Sequence, residues 1–190
     1  MKLFKVAGYS LMMMDNYLCL RESKEAVTLS DSLGYEKTFF QGKDFEIITA
    51  SSKKELLLKA RQLKQKKLQV FFRASSEELL RFALEKAPVD GVIGVEEIHP
   101  TNSVHYLRGG LDQMLCTFAR QEEKIVVLSF SSVLNSSSRS RLLARMMFNV
   151  RLCRKYDVKV ILSNFSSDLV EIRSGSDLGA FERVLMKRKK

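Results

Sequence analysis

Histidine is the side chain best suited to moving protons near neutral pH, and this chain has two, His99 and His105. Both fall in one polar stretch, which runs Glu96-Glu97-Ile98-His99-Pro100 and continues to His105-Tyr106. Two carboxylates and two imidazoles this close in sequence could gather round a divalent metal. Two histidines on one loop at this separation match no recognised ligand spacing, however, and the stretch also reads as a polar surface loop ahead of a helix. We expect the loop. No GxSxG elbow, GxxxxGK phosphate loop or HExxH pair occurs, so the commonest hydrolase, nucleotide and zinc signatures are missing. A hydrolase triad would have to draw its base from those same two histidines. Cys19, Cys116 and Cys153 are widely spaced, with no CxxC; they read as buried thiols in a reducing compartment.

Charge gives a stronger hint. Thirty-two Lys and Arg against 22 Asp and Glu leave a formal charge of +10, with a pI near 9.6. Such an excess attracts polyanions, and nucleic acid is the commonest of these, although many basic proteins bind none. Six of the cations lie on a helix running from Arg139 to Tyr156. At ~100° per residue, Leu142, Leu143, Met146, Met147, Val150 and Cys153 share an arc that should face the core. Arg141, Arg145, Phe148, Leu152 and Lys155 share another. Basic residues interleaved with an aromatic can grip a phosphate backbone or a protein partner. Equally, the arc could be a solvated face with Phe148 and Leu152 packed under a neighbour. The strip Lys53, Lys54, Lys59, Arg61, Lys64, Lys66 and Lys67 reads as a solvated helix face. Residues 187–190, Lys-Arg-Lys-Lys, read as a basic tail on a single domain spanning 1–186.

The elements that must position these side chains alternate. Phe45–Ala50, Leu68–Phe72, Val89–Val95, Ile125–Phe130 and Val158–Leu162 read as strands. Weaker ones fall at Leu3–Val6 and Tyr35–Phe40. Between them, Ser52 with Glu55 and Ser75 with Glu78 have capping-box spacing, Pro88 ends a helix, and Leu111, Met114, Leu115, Phe118 and Ala119 follow helical period. A last helix covers Asp177 to Met186. Strand–helix alternation with short connections means a parallel sheet covered by helices. At 190 residues the chain is short for an eight-fold barrel, which usually needs ~250, and no strand-to-helix turn carries a dinucleotide fingerprint. The expected fold class is α/β, a small or incomplete TIM-barrel-like fold. No stretch reaches the ~20 apolar residues of a membrane span, and no apolar secretory segment follows the N-terminus.

Several short motifs stand in a telling order: Val89-Asp90-Gly91-Val92-Ile93, Gly110-Leu111-Asp112-Gln113-Met114-Leu115, residues 136–143 (Ser-Ser-Ser-Arg-Ser-Arg-Leu-Leu), Arg154-Lys155-Tyr156, Val160-Ile161-Leu162-Ser163 and Arg173-Ser174-Gly175-Ser176-Asp177-Leu178. Over residues 45–180 the chain thereby resembles archaeal ribonuclease P protein component 3, the relative of the eukaryotic thirty-kilodalton ribonuclease P subunit. The resemblance implies a TIM-barrel-like fold related to metal-dependent phosphoesterases but without their working metal site. It also implies a non-catalytic role in 5′-leader removal from precursor tRNA. The expected partners are ribonuclease P RNA, precursor tRNA and another ribonuclease P protein subunit, in the cytoplasm. No cofactor is expected in this chain; magnesium is expected for the holoenzyme RNA. No catalytic or metal-ligating residue is assigned. The RNA- or partner-binding candidates are Arg139, Arg141, Arg145, Phe148, Lys155 and Arg173. The chain departs from the family at Val95, where a histidine is common, and at Asn164-Phe165, where a serine–aspartate pair is expected. It departs again at Gly175, which replaces a frequent proline. The first two departures remove potential metal ligands. A phosphoesterase on the same barrel and a scaffold that never touches RNA remain the competing readings.

Replacing His99 and His105 together by alanine should leave reconstituted precursor-tRNA processing largely intact. A fall of a thousandfold, about 4 kcal/mol of barrier, would show that one of them does chemistry.

Overall fold

The computed structural model describes residues 5–6, 9–10, 15–102 and 107–186. The expected first strand, Leu3–Val6, lies partly outside them, and so does the basic tail. A short β1 (Lys5–Val6) pairs antiparallel with β2 (Tyr9–Ser10). From there strands and helices alternate: β3 (Asn16–Leu18), α1 (Lys24–Ser32), β4 (Thr38–Phe40), β5 (Phe45–Ile48), α2 (Lys53–Gln65), β6 (Gln69–Arg73), α3 (Glu77–Glu85), β7 (Gly91–Ile93) and α4 (Gln113–Gln121). Then come β8 (Ile125–Ser129), α5 (Phe130–Asn135), α6 (Arg139–Lys155), β9 (Val160–Ser163) and α7 (Gly175–Leu185).

Short polar side chains set where most helices begin. Ser23, Ser52, Ser76, Asp112, Ser129 and Ser174 each accept a first-turn backbone N–H, a bond typically worth ~1 kcal/mol. For α3 the cap is Ser76, one residue later than the expected Ser75. The Ser75 hydroxyl instead reaches back to the Ala50 carbonyl, and Glu78 is taken by an ion pair with Lys53. Much of the lysine strip is engaged in the same way, Lys59 with Glu55 and Lys64 with Asp90.

All strand pairings beyond β2 are parallel. The strands β5 to β9 form one sheet in sequence order, and β3 pairs with β4. Two bridges join the pair to both edges of the sheet. One, Gln41↔Phe45, spans a sideways step of the chain. There a single tight turn closes through Asp44 N–H to Phe40 O, and Gly42 takes a φ of +85° that a side chain would resist. The other bridge, Leu18↔Ser166, ties the first strand to the segment just past β9. The result is a closed seven-stranded parallel ring wrapped by helices, a small TIM-barrel-like fold as the sequence predicts. Its first strand, Asn16–Leu18, is not one that the sequence pattern signals.

Alternation along each strand divides the core. Inward-facing Tyr17, Phe45, Phe71, Ile93, Val127 and Phe165 fill the barrel. Tyr17 stacks on Phe39 and Phe165 with ring centroids 4.7 and 5.3 Å apart, while Phe45 and Phe71 meet it edge-on, the offset and T-shaped arrangements that ring quadrupoles favour. Outward-facing Val70, Phe72, Val92 and Val126 pack under α2, α3 and α4. Leu128 and Leu162 pack with Leu142, Met146 and Val150 of α6 and Leu185 of α7. Among the described residues no helix is long and apolar enough to cross a membrane.

Leu162 is buried in this last cluster. Leu162→Ala should lower unfolding free energy by ~2–5 kcal/mol in urea denaturation; a change within ~0.5 kcal/mol, the usual surface range, would contradict its place in the core.

Candidate functional site

In parallel barrels the connections from strand ends to helices carry function, and two of them meet here. The first runs from β7 through a 3-10 turn, Val95–Glu97, toward α4. The second runs from β8 through α5 to the start of α6. Arg145 of α6 fastens them together. Its Nη1 donates to the carbonyls of Glu96 and His99 at 2.9 and 2.6 Å, and its Nε donates to Asn102 Oδ1 at 2.8 Å. The loop closes further down against the same helix. A Cβ on Gly109 would fall 2.6 Å from Phe148 Cδ1 and 2.5 Å from Asn149 Oδ1, and one on Gly110 would run into the Val95 carbonyl. Asn149 Nδ2 donates to the Gly109 carbonyl. Only glycine allows backbone and helix to approach this closely.

This packing corrects the expected outer arc. Arg145 is only 3% exposed, so it does not lie on an exposed outer face of the helix. Phe148 is half-buried against Gly109, and Leu152 packs partly buried on the core. Arg141 remains exposed on the first turn of the helix. Arg139 is exposed too and uses Nη2 on the Leu134 carbonyl. Lys155 lies at the far end of the 17-residue helix, about 24 Å from Arg139 at 1.5 Å per residue, with its ammonium 5.4 Å from the Tyr156 ring centre. Arg173 belongs to a different connection, after β9, and donates to the Val170 and Ile172 carbonyls. The structure therefore brings Arg141 and Arg145 to the lining of one small cleft, turns Arg139 of the same helix turn toward the Leu134 carbonyl, and leaves Lys155 and Arg173 apart from them.

The candidate metal loop is dispersed. Glu97 pairs with Arg73 at 2.7 Å, His99 Nε2 lies 2.8 Å from Glu77 Oε1, and His105 lies outside the described residues. Among the described residues no three His, Cys, Asp or Glu side chains converge enough to hold an ion. Val95 is buried. Asn164, at the expected serine–aspartate position, is buried and spends its amide on Asn16, Tyr35 and the Arg173 backbone. Cys116 and Cys153, far apart in sequence, are both buried and hydrogen-bonded to each other, which raises the Cys153 pKa and lowers that of Cys116. Cys19 is half-buried, and burial pushes its thiol up to about 11.

Sequence reasoning missed Glu96 as a buried group. It is 0% exposed, and among the described residues neither carboxyl oxygen has a hydrogen-bond partner. Burial pushes its carboxyl up to about 7, with Glu97 adding to the rise and Arg73 and Arg145 opposing it. The only sequence signal is position, two residues past Gly94, the glycine that follows the buried strand.

No family model matches this sequence. Ribonuclease P protein component 3 of Methanococcus maripaludis (strain C7) is 30% identical over 87 residues, 45% of this chain and 38% of that protein. The same component of Methanocaldococcus jannaschii is 26% identical over 141 residues, 73% of this chain and 58% of that protein. The matched region thus spans between 38% and 58% of these curated relatives. In fold, the chain is similar to one in the cryo-EM structure of archaeal ribonuclease P with mature tRNA, with a TM-score of 0.66 and 23% identity over 91% of this chain and 73% of that one.

Because the folded state holds the Glu96 proton more tightly than the unfolded chain, its contribution to stability is complete below about pH 4.5 and is lost as pH rises to about 7. Glu96→Gln should match the parent at the acid end and exceed it at pH 8 by on the order of 3 kcal/mol. Urea unfolding of both proteins across this range checks the sign. A variant less stable at pH 8 would mean the carboxylate is paired there.

Proposed function

We propose that this chain is a non-catalytic protein subunit of ribonuclease P, assisting the catalytic RNA in removing the 5′ leader from precursor tRNA. The observation that carries the reading is the agreement of a sequence likeness with a fold likeness. The first reaches 73% of the chain against component 3 of Methanocaldococcus jannaschii, and the second covers 91% of it against a chain of an archaeal ribonuclease P assembly. The chemistry supports it. A charge of +10 suits a polyanionic partner, and Arg139 and Arg141 present cations at the start of α6, where a positive charge opposes the helix dipole and costs stability unless something anionic meets it. In this reading the chain works in the cytoplasm, beside ribonuclease P RNA, precursor tRNA and another protein subunit, while magnesium serves the RNA.

The test is reconstitution with an archaeal ribonuclease P RNA and its other proteins. Adding the chain should raise precursor-tRNA cleavage, and no change at any protein or magnesium concentration would end the proposal. With Arg145 buried, Arg139→Ala with Arg141→Ala is the surface pair to compare. It should weaken assembly and reduce the slope of log K against log salt by roughly 0.7–0.9 for each phosphate no longer neutralised, while shifting stability by no more than ~0.5 kcal/mol. Loss of a protein–protein complex with an unchanged salt slope would assign this face to the protein partner.

A further inference from the structure

The start of α6 borders a cleft of about 150 Å³ in which polar groups lack partners. Alone among the seven α-helices described, α6 begins without a side-chain capping bond, and no acidic residue stands in its first turn. The N–H groups there have no acceptor from a cap, and the positive end of the dipole is not offset. A second observation is independent of the helix end. Arg145, on the cleft lining and nearly wholly buried, has no partner for Nη2 among the described residues. Burial lowers its pKa, the nearby Arg141 and Arg108 cations lower it further, and Glu96 opposes the fall. Two other polar side chains on the lining are already engaged, Glu97 with Arg73 and His99 with Glu77.

We propose that this cleft is a binding site for one phosphate group, held by Arg141, Arg145 Nη2 and the first N–H groups of α6. A tetrahedral oxyanion offers several acceptors to donors converging from different directions, and its charge answers both the guanidinium pair and the helix end. The volume suits it: the cleft is well below the ~300–1,000 Å³ of a small-molecule pocket, yet about five times the ~30 Å³ share of a water. Glu96 adjoins the same space. Wholly buried behind the lining, it acts on the cleft through its charge: neutral when protonated, repelling the ligand when ionised. The charges that act on it are Glu97, Arg73 and Arg145. The phosphate could be a diester of an RNA strand or a free or terminal phosphate, and the chemistry of the cleft is the same for both. The proposal stands apart from the subunit reading, since it needs only the isolated chain.

Titration calorimetry of the isolated chain with inorganic phosphate, against chloride at equal ionic strength, should show one saturable site. Arg141→Ala should weaken it at least fivefold without moving the melting temperature of the unliganded protein. Glu96→Gln, which removes the negative charge, should tighten phosphate binding at least threefold at pH 8. Arg145 also fastens the loop, so these two variants carry the test. A short single-stranded RNA with a 5′-hydroxyl end identifies the source: competition with phosphate assigns the site to the RNA backbone, and no competition assigns it to a free or terminal phosphate. Absence of saturable binding beyond the chloride control, or both variants binding as the parent does, overturns the proposal. If phosphate fails to bind while the chain still stimulates precursor-tRNA cleavage, the site falls and the subunit reading stands.

Discussion

Closure of the barrel between its first strand and the end of its last is the constraint on which everything else depends. Four consecutive residues make that seam. Ser163 Oγ accepts from Tyr17 N and donates to Asp15 O. Asn164 bonds Asn16, Phe165 N donates to Tyr17 O, and Ser166 O accepts from Cys19 N. Asn164 is the centre of it, because its amide nitrogen also reaches Tyr35 and Arg173 and its oxygen accepts from Arg173 N. A buried amide with both ends satisfied fixes geometry in a way that apolar packing cannot. Asn164, which stands where the sequence resemblance led us to expect a serine–aspartate pair, is here a structural clamp. With the ring closed, the strand ends are fixed in space, and the loops that leave them have a rigid base.

On that base Arg145 performs a similar service for the mouth of the barrel. A buried guanidinium bonded to two carbonyls and an amide, with no carboxylate pairing it among the described residues, keeps its charge at considerable desolvation cost. Its return is order, since the loop from Glu96 to Asn102 has few apolar groups with which to hold itself down. The same residue thus shapes the cleft and charges it. Glu96, close by, is kept protonated by the same burial over much of the acid range, so the two do not simply cancel.

Much of this architecture is legible in the residues. Ser52 three residues ahead of the Glu55 N–H, the run Val160-Ile161-Leu162 and the 3.6-residue spacing of Leu142, Met146, Val150 and Cys153 each report local physics, and the structure places each in the expected element, whereas the cap of α3 falls on Ser76 and not Ser75. What escapes is set by contacts distant in sequence. Asn16-Tyr17-Leu18 lacks a β-branched run and becomes a strand because Thr38–Phe40 and the seam pair with it. Phe130–Asn135 is too short for its period to show. On the helical wheel Arg145 lies 60° from Leu142 at ~100° per residue, at the flank of the apolar arc. Whether that flank meets water or protein depends on a loop some forty residues upstream. Of the candidate site, Arg139 and Arg141 are readable as exposed cations, whereas the burial of Arg145 and Glu96 is not.

The seam also has a kinetic meaning. Its side-chain bonds link positions 146 to 148 residues apart, whereas each strand–helix–strand unit closes within a few dozen. Joining chain ends at that separation carries an entropic cost of about 4 kcal/mol from the length-dependent part alone, and such non-local contacts slow folding. The central units from β5 to β9 can therefore assemble while β3 is still unattached. During that interval β9 and β5 are both bare edges, each with a row of unpaired N–H and C=O groups able to accept the β3–β4 segment of another molecule as readily as its own. Exchange of that segment between two chains is the misassembly this topology invites, favoured by high concentration and suppressed by fast intramolecular docking. Once Asn164 has found Asn16, the ring has no edge left to trade.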